Sequence, residues 1–439
     1  MRFLVLLSSC VALITSCSSA RSSDTPAAAA PTRAAPPEAP TEPAAAAPPA
    51  AEPAPAPAPP VADPGSAPPG TDFAVQVRTL FRVAACGSDD PVPEGFAVRL
   101  VDAHCKEMQR RYQAYRTAWA DRAGAFIAKL RPADLPGTVV YPFGGGDLTS
   151  ALVVFPDATE ITTISLEAAG DVRAIEQLRK DDLARDLDVV GADIQRLFRA
   201  AHSTTKSLQG ASHSKLPGTL MFALAALAAH DFEPVSLRYF AIEPDGSLRY
   251  LTGDDLDKAA SAASPDRGPR LGKYRRWVEQ ESPFANVEIG FRKRGDASAP
   301  VRVFRHILAN LDDAHQGADP RLIAHLEKKG KVAAMTKAAS FLLWWDDFSI
   351  VRDYLLGHIA WMISDASGLP PSYAQKAGLE QITYGKFVGP YFIQDPRGVR
   401  TDMIRMWAKQ PYRPLEFRFG YPDAEKNHHL MITRPAARP

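Results

Sequence analysis

The chain has 439 residues, with 51 Lys and Arg against 50 Asp and Glu and a formal net charge of +1. That balance argues against a nucleic-acid binder, which carries a basic excess on its domain. Short basic clusters at Lys273-Tyr274-Arg275-Arg276, Arg292-Lys293-Arg294 and Lys328-Lys329-Gly330-Lys331 have acidic neighbours and read as solvated surface.

The N-terminus, MRFLVLLSSCVALITSCSSA, places Arg2 ahead of an apolar run from Phe3 to Ile14. That length suits a signal-peptide core and is too short to span a bilayer. Ile14-Thr15-Ser16-Cys17 resembles a bacterial lipobox, so residues 1–17 are expected to be a lipoprotein signal peptide with Cys17 lipidated. Leu7-Ser8-Ser9-Cys10 has the same pattern, but cutting there leaves an apolar core of only about five residues. Ser18, where an Asp favours inner-membrane retention, points to a lipid-anchored protein of the cell envelope, at the outer membrane. The membrane is then met through the anchor. Residues 18–71 are nearly all Ala, Pro, Glu, Ser and Thr and cannot bury enough apolar surface to offset ordering entropy. They read as a disordered linker; extended at about 3.1 Å per residue it reaches at most about 150 Å. A segment recognised by a proline-binding partner is the other reading.

About 370 residues remain, enough for one large or two ordinary domains. Residues 72–135 read as a helical N-terminal unit, with apolar positions three and four apart and a stop at Arg131-Pro132. In an oxidising compartment Cys86 and Cys105 suggest a disulfide joining two segments across the Gly-Ser-Asp-Asp-Pro turn. His104 raises metal binding, but two ligands make no tetrahedral site.

From residue 136 to residue 439 the texture is α/β. A strand at Thr138–Tyr141, a helix over 148–155 and a strand at Ile161–Leu166 come first, followed by a charged helix from Val172 to about Ala201. The wholly apolar stretch from Leu220 to Ala229 has the length of a core helix, not a membrane span. VSLRYFAIEPDGSLRYLT predicts a hairpin at Asp245-Gly246, and strands from Val287 and Val301 predict another. Pro320 to about Lys386 reads as mainly helical, and LEFRFGY with HHLMITRP as a closing hairpin. Together these predict an α/β sheet with a parallel start and antiparallel additions.

The stretch YPFGGGD, residues 141–147, lies between the first strand and its helix, and Glu167 closes the second strand about twenty residues beyond. This is Rossmann logic: glycines let a ligand approach the backbone, the helix N-terminus favours negative charge, and the acid bonds a ribose. Gly144-Gly145-Gly146 is not G-x-G-x-x-G, however, and Asp147 puts a carboxylate where a pyrophosphate sits. Asp147 suits N-capping or a turn that avoids phosphate. Three readings stay open: a structural turn without cofactor, a site for another small ligand, and a cofactor site.

Val139 to Glu167 resembles the first motif of class I S-adenosylmethionine-dependent methyltransferases. The chain also resembles an uncharacterised family of bacterial secreted proteins and lipoproteins, on three motifs. These are Tyr141-Pro142-Phe143 with Gly145 and Asp147, Phe155-Pro156 with Ala158, and Leu166-Glu167 with Gly170. The likeness continues at Ala338-Ala339-Ser340-Phe341-Leu342 and from Ser364 to Pro370. The resemblance implies a Rossmann/methyltransferase-like fold and carries no activity.

Ser203-Thr204-Thr205-Lys206 and Ser212-His213-Ser214-Lys215 match S-x-x-K, but the supporting motifs of serine acyl-transfer enzymes are missing. Trp344-Trp345-Asp346-Asp347, with Phe348, Tyr354, His358 and Trp361 at near-helical spacing, suggests a packed core more than a glycan cleft, because adjacent carboxylates on a helix diverge. Asp365, Ser367 and Gly368 read as a turn closing that helix, with Asp365 a candidate site residue. His306, His315, His428 and His429 lack ligand-like spacing. The expected function is non-catalytic binding in the cell envelope without a cofactor, the partner or small ligand being unknown. The alternative is an extracytoplasmic transferase or hydrolase using a crevice at Gly144 to Asp147, near Glu167 and Asp365.

Overall fold

In the computed structural model the described residues are 70–178, 180–200, 214–262, 283–337, 341–389, 396–419 and 428–436. The signal peptide with Cys17, the linker to residue 69, the S-x-x-K serines Ser203 and Ser212, and Ala338 to Ser340 lie outside them. In chain order, α1 (Ala74–Val83), α2 (Val98–Tyr115), a π-helical turn (Arg116–Ala120) and α3 (Asp121–Ile127) precede β1 (Thr138–Pro142), α4 (Leu148–Val154) and β2 (Glu160–Ser165). A 3-10 turn (Val172–Gln177), α5 (Lys180–Ala200) and α6 (Gly218–Ala229) lead to β3 (Phe232–Ile242), β4 (Leu248–Tyr250), α7 (Gly253–Ala262), β5 (Val287–Lys293) and β6 (Arg302–Leu308). Then come α8 (Asp313–Ala318), α9 (Arg321–Glu327), β7 (Val332–Thr336), α10 (Ser349–His358) and β8 (Ile359–Ser364). The chain continues through α11 (Pro371–Lys376), β9 (Leu379–Gly385), α12 (Val399–Lys409) and β10 (His429–Pro435).

Among the described residues one ten-stranded sheet has the order β4-β3-β5-β6-β2-β1-β7-β8-β10-β9. The run β6-β2-β1-β7-β8 is parallel throughout. Within that run the chain order is third, second, first, fourth, fifth, as in a doubly wound Rossmann sheet. β3, β4 and β5 extend one side as antiparallel additions. On the other side β10 inserts antiparallel between β8 and β9. The fold is therefore α/β, a Rossmann/methyltransferase-like mixed sheet with antiparallel hairpin additions. The strand order reverses at β1, so the switch point lies where the C-terminal ends of β1 and β7 part, the usual ligand crevice of such sheets.

The helix α6 is apolar on every side, and Thr219 to Ala229 are all buried. A helix without a polar face is stable only inside a core, and α6 packs against α4 and β3. The hairpin at Asp245-Gly246 forms as predicted, with Gly246 at φ +80° and Ile242 opposite Leu248. The N-terminal helices share the main core: Val77, Leu80, Met108 and Ile127 cluster with Val139, Ile161 and Ile289. The Cys86–Cys105 disulfide ties the segment after α1 to α2. Among the described residues no helix is long and apolar enough to cross a membrane.

Two expectations are corrected. The region from Pro320 to Lys386 is not mainly helical, since it holds β7, β8 and β9. VAAMT and IAWMIS lie in the sheet interior and are buried nearly throughout. Such short, uniformly apolar runs carry no alternation, so periodicity does not separate them from helix. Trp361 thus belongs to β8, apart from Tyr354 and His358 in α10, and the Asp365 turn closes a strand. The closing hairpin is not formed either: β10 pairs with β8 and β9, while Leu415, Phe417 and Phe419 enter the core without strand pairing.

Candidate functional site

The strand β1 delivers Tyr141, fully buried, and the chain then turns sharply: Phe143 has φ +59° and Gly145 φ +51°. A left-handed Phe is costly and persists only where the surroundings hold it; its ring packs edge-to-face on Phe348 at 5.9 Å. A Cβ on Gly144 would lie 2.8 Å from the Tyr141 carbonyl oxygen, and one on Gly146 would lie 2.8 Å from Phe222 of α6. These glycines are required by the protein's own packing. The turn is filled.

Asp147 caps α4. Its Oδ1 accepts from the Ser150 N–H at 3.2 Å, the Ser150 hydroxyl at 2.8 Å and the Thr149 hydroxyl at 3.0 Å. Its Oδ2 accepts from the Tyr141 hydroxyl at 3.0 Å. The same oxygen forms an ion pair at 3.0 Å with Lys337, the residue that follows β7 across the switch point. The Lys337 side chain is 0% exposed. Its ammonium also donates to the Ser150 hydroxyl and lies 4.9 Å from the Trp119 ring and 5.5 Å from that of Phe419. Burial pushes this ammonium's pKa down, while the charges of Asp147 and Asp365 hold it up. Burial, and then the Asp147 charge, raise Tyr141 well above the usual phenol value, so it stays a neutral donor.

Asp365 follows β8, is fully buried, and accepts from the Ser367 N–H at 2.8 Å. Gly144 to Asp147 and Asp365 are thus brought to one edge of the sheet, around Lys337. Glu167 follows β2 on the same edge, where its backbone carbonyl oxygen, not its carboxylate, bonds the buried His306 ring at 2.7 Å. Burial lowers His306 to a pKa of about 4, leaving it a neutral core histidine. Along the same edge the buried hydroxyls of Thr336, Ser364 and Ser367 and Glu167 Oε1 have no hydrogen-bond partner among the described residues. The sequence does not mark Lys337, because its segment reads as helix; the one available signal is a lysine directly after the run VAAMT.

The other constellations resolve blandly. Trp344 is buried, donating from Nε1 to the Ala366 carbonyl, while Asp346 and Asp347 are exposed. Among the described residues no group of three or more His, Cys, Asp or Glu is placed to hold a metal. Lys329 corrects the expectation of solvated surface for its cluster: its side chain is 7% exposed and pairs with Glu160, which Arg305 also holds at 2.7 Å. Burial pushes the Glu160 carboxyl up, but Arg305 and Lys329 outweigh it and set its pKa at about 2.

Elsewhere, an open concavity of about 480 Å³ is walled by the π-helical turn, α3 and the C-terminal ends of α4 and α6. Arg116, Arg131, His230, Asp231 and Lys293 line it. Comparison with protein-family models, curated proteins and solved structures finds no match for this chain.

Proposed function

We propose that this chain is a lipid-anchored protein of the cell envelope, at the outer membrane, whose Rossmann/methyltransferase-like domain serves non-catalytic binding and takes no cofactor. The observation that carries the cofactor-free reading is the ion pair of Asp147 with the buried Lys337. The chain's own ammonium occupies the switch-point edge and neutralises the carboxylate that an open turn would present to a ligand. A cofactor would have to displace a buried, hydrogen-bonded pair, and leaving one member of such a pair uncompensated costs about 3–5 kcal/mol. S-adenosylmethionine at millimolar concentration is expected to leave the melting temperature unchanged; a saturable rise would overturn this reading. The anchor rests on the lipobox-like Ile14-Thr15-Ser16-Cys17. Cys17→Ala is expected to release the protein from membranes, and unchanged fractionation would remove that part of the proposal.

A second reading, an extracytoplasmic transferase or hydrolase at the same edge, is favoured by the partnerless hydroxyls of Thr336, Ser364 and Ser367. If these hydroxyls hold a substrate, Ser364→Ala abolishes a ligand-induced rise in melting temperature. If they are merely orphaned, Ser364→Ala leaves stability unchanged or raises it, since an unsatisfied buried polar group costs about 1–3 kcal/mol.

A further inference from the structure

We propose that the concavity beside the C-terminal end of α4 binds a small anion bearing phosphate or carboxylate groups. The proposal deepens the reading of this domain as a binding module, on which it rests, by giving a place and a ligand chemistry.

The first observation is charge fixed in place. Arg116 donates from Nε to the Ala229 carbonyl at 2.7 Å, at the end of α6, and pairs with Asp231. Arg131 donates from Nη1 to the Val154 carbonyl at 2.8 Å, at the end of α4, and reaches the exposed Asp157 at 3.3 Å. A guanidinium has five N–H groups in a rigid fork, so each arginine keeps donors beyond these contacts. The helix ends hold both side chains without loose rotamers to freeze, which lowers the entropic cost of binding.

The second observation is cationic excess. Asp231 is already held by Arg116 and by Arg294, the latter at 2.6 Å, and Lys293 lies within electrostatic reach of it. Lys293 itself forms no ion pair with a carboxylate among the described residues; its ammonium lies 5.7 Å from the Phe232 ring. The acidic counterweight in the lining beyond Asp231 is Asp121, exposed at the rim.

The third observation is backbone that departs from the regular. The wall includes a π-helical turn, Arg116–Ala120, and Asp231 has φ +59°. Such departures concentrate at functional sites. His230 lines the same wall, is lowered to a pKa of about 4 chiefly by burial, and keeps a buried Nε2 with no hydrogen-bond partner among the described residues.

The test uses the folded, signal-free protein and titrates inorganic pyrophosphate and citrate calorimetrically, with sodium chloride at matched ionic strength as the control. Saturable binding of either anion is expected, weakened about tenfold by Lys293→Ala and abolished by Lys293→Glu, as for loss and reversal of a charge-assisted contact. Lys293 is exposed, so both variants are expected to keep the circular dichroism spectrum of the parent. A phospholipid headgroup offers the same phosphate chemistry, and phosphatidylglycerol against phosphatidylcholine vesicles separates that source. Vesicle binding that depends on Lys293 supports a headgroup, and Lys293-dependent binding of pyrophosphate or citrate without vesicle binding supports a soluble anion. Binding of none of these probes, or binding indifferent to Lys293→Ala, overturns the site. Neither outcome touches the cofactor-free reading, which stands or falls on S-adenosylmethionine.

Discussion

The helix α4 separates two treatments of charge. At its N-terminal end Asp147 and Lys337 are both buried, paired at 3.0 Å and surrounded by hydroxyls and rings, so each charge is answered inside the protein. Near its C-terminal end Arg116 and Asp231 are each about a third exposed, Lys293 has no carboxylate partner among the described residues, and the concavity stands open. The first end is where a Rossmann-like sheet usually binds; the second lies away from that switch point. The contrast teaches that the place topology favours for a ligand and the place left open and partly exposed in charge need not coincide in one fold.

The sharpest way to break the comparison is to open the sealed end. Lys337→Met leaves the Asp147 carboxylate buried without its cation and is expected to destabilise the protein by about 3–5 kcal/mol. Combining it with Asp147→Asn is expected to recover most of that loss, as read from urea midpoints. A single-variant loss below about 1 kcal/mol would mean that solvent reaches the pair.

Reducing the Cys86–Cys105 bridge is expected to remove about 3 kcal/mol, on the loop-closure scale for its sequence separation of 19, and Cys86→Ser should match reduction. Unchanged thermal unfolding under reductant would contradict this.

A third test follows pH. Glu160 has its folded pKa depressed from 4.5 to about 2 by Arg305 and Lys329 against the opposing effect of burial. A depressed carboxyl stabilises the fold above its unfolded pKa and loses that contribution as pH falls through the folded one. Stability should therefore drop between pH 4.5 and about 2, by about 3 kcal/mol from this group. Glu160→Gln should flatten that part of the profile; a profile identical to that of the parent would sink the assignment.

The smallest effects compare a glycine at each end. Gly144→Ala forces a Cβ to 2.8 Å from the Tyr141 carbonyl oxygen, and a loss of about 1–3 kcal/mol is expected. Gly124, in α3 on the concavity wall, would place its Cβ 3.7 Å from Val153, an ordinary contact. Gly124→Ala should therefore stabilise by about 0.5–1 kcal/mol through helix propensity. Equal effects at the two glycines would remove the distinction between a filled and an open end.

Much of the fold is legible in the residues. The β-branched run at Thr138, the glycine turn and the strand ending near Glu167 give β1, α4 and β2 close to their observed limits. Asp245-Gly246 gives the hairpin, because that dipeptide supplies the backbone freedom a tight turn requires. β7 and β8 are not legible, since strands covered on both faces lose the polar alternation that identifies a strand. The site suffers most from this, because Lys337 stands at the end of β7.

The amino-acid order by itself determined the lipobox-like N-terminus, the Pro/Ala-rich linker composition and the parallel start of an α/β sheet, because each depends on neighbours in sequence. It also paired Cys86 with Cys105, as the only cysteines left once Cys10 and Cys17 were set aside. Only the tertiary structure decided what the glycine turn faces. Asp147 and Lys337 are 190 residues apart in the numbering, and no local rule couples them. Their meeting depends on β7 docking beside β1, and that docking turned YPFGGGD from a candidate opening into a closed corner of the core where Asp147 is paired with Lys337.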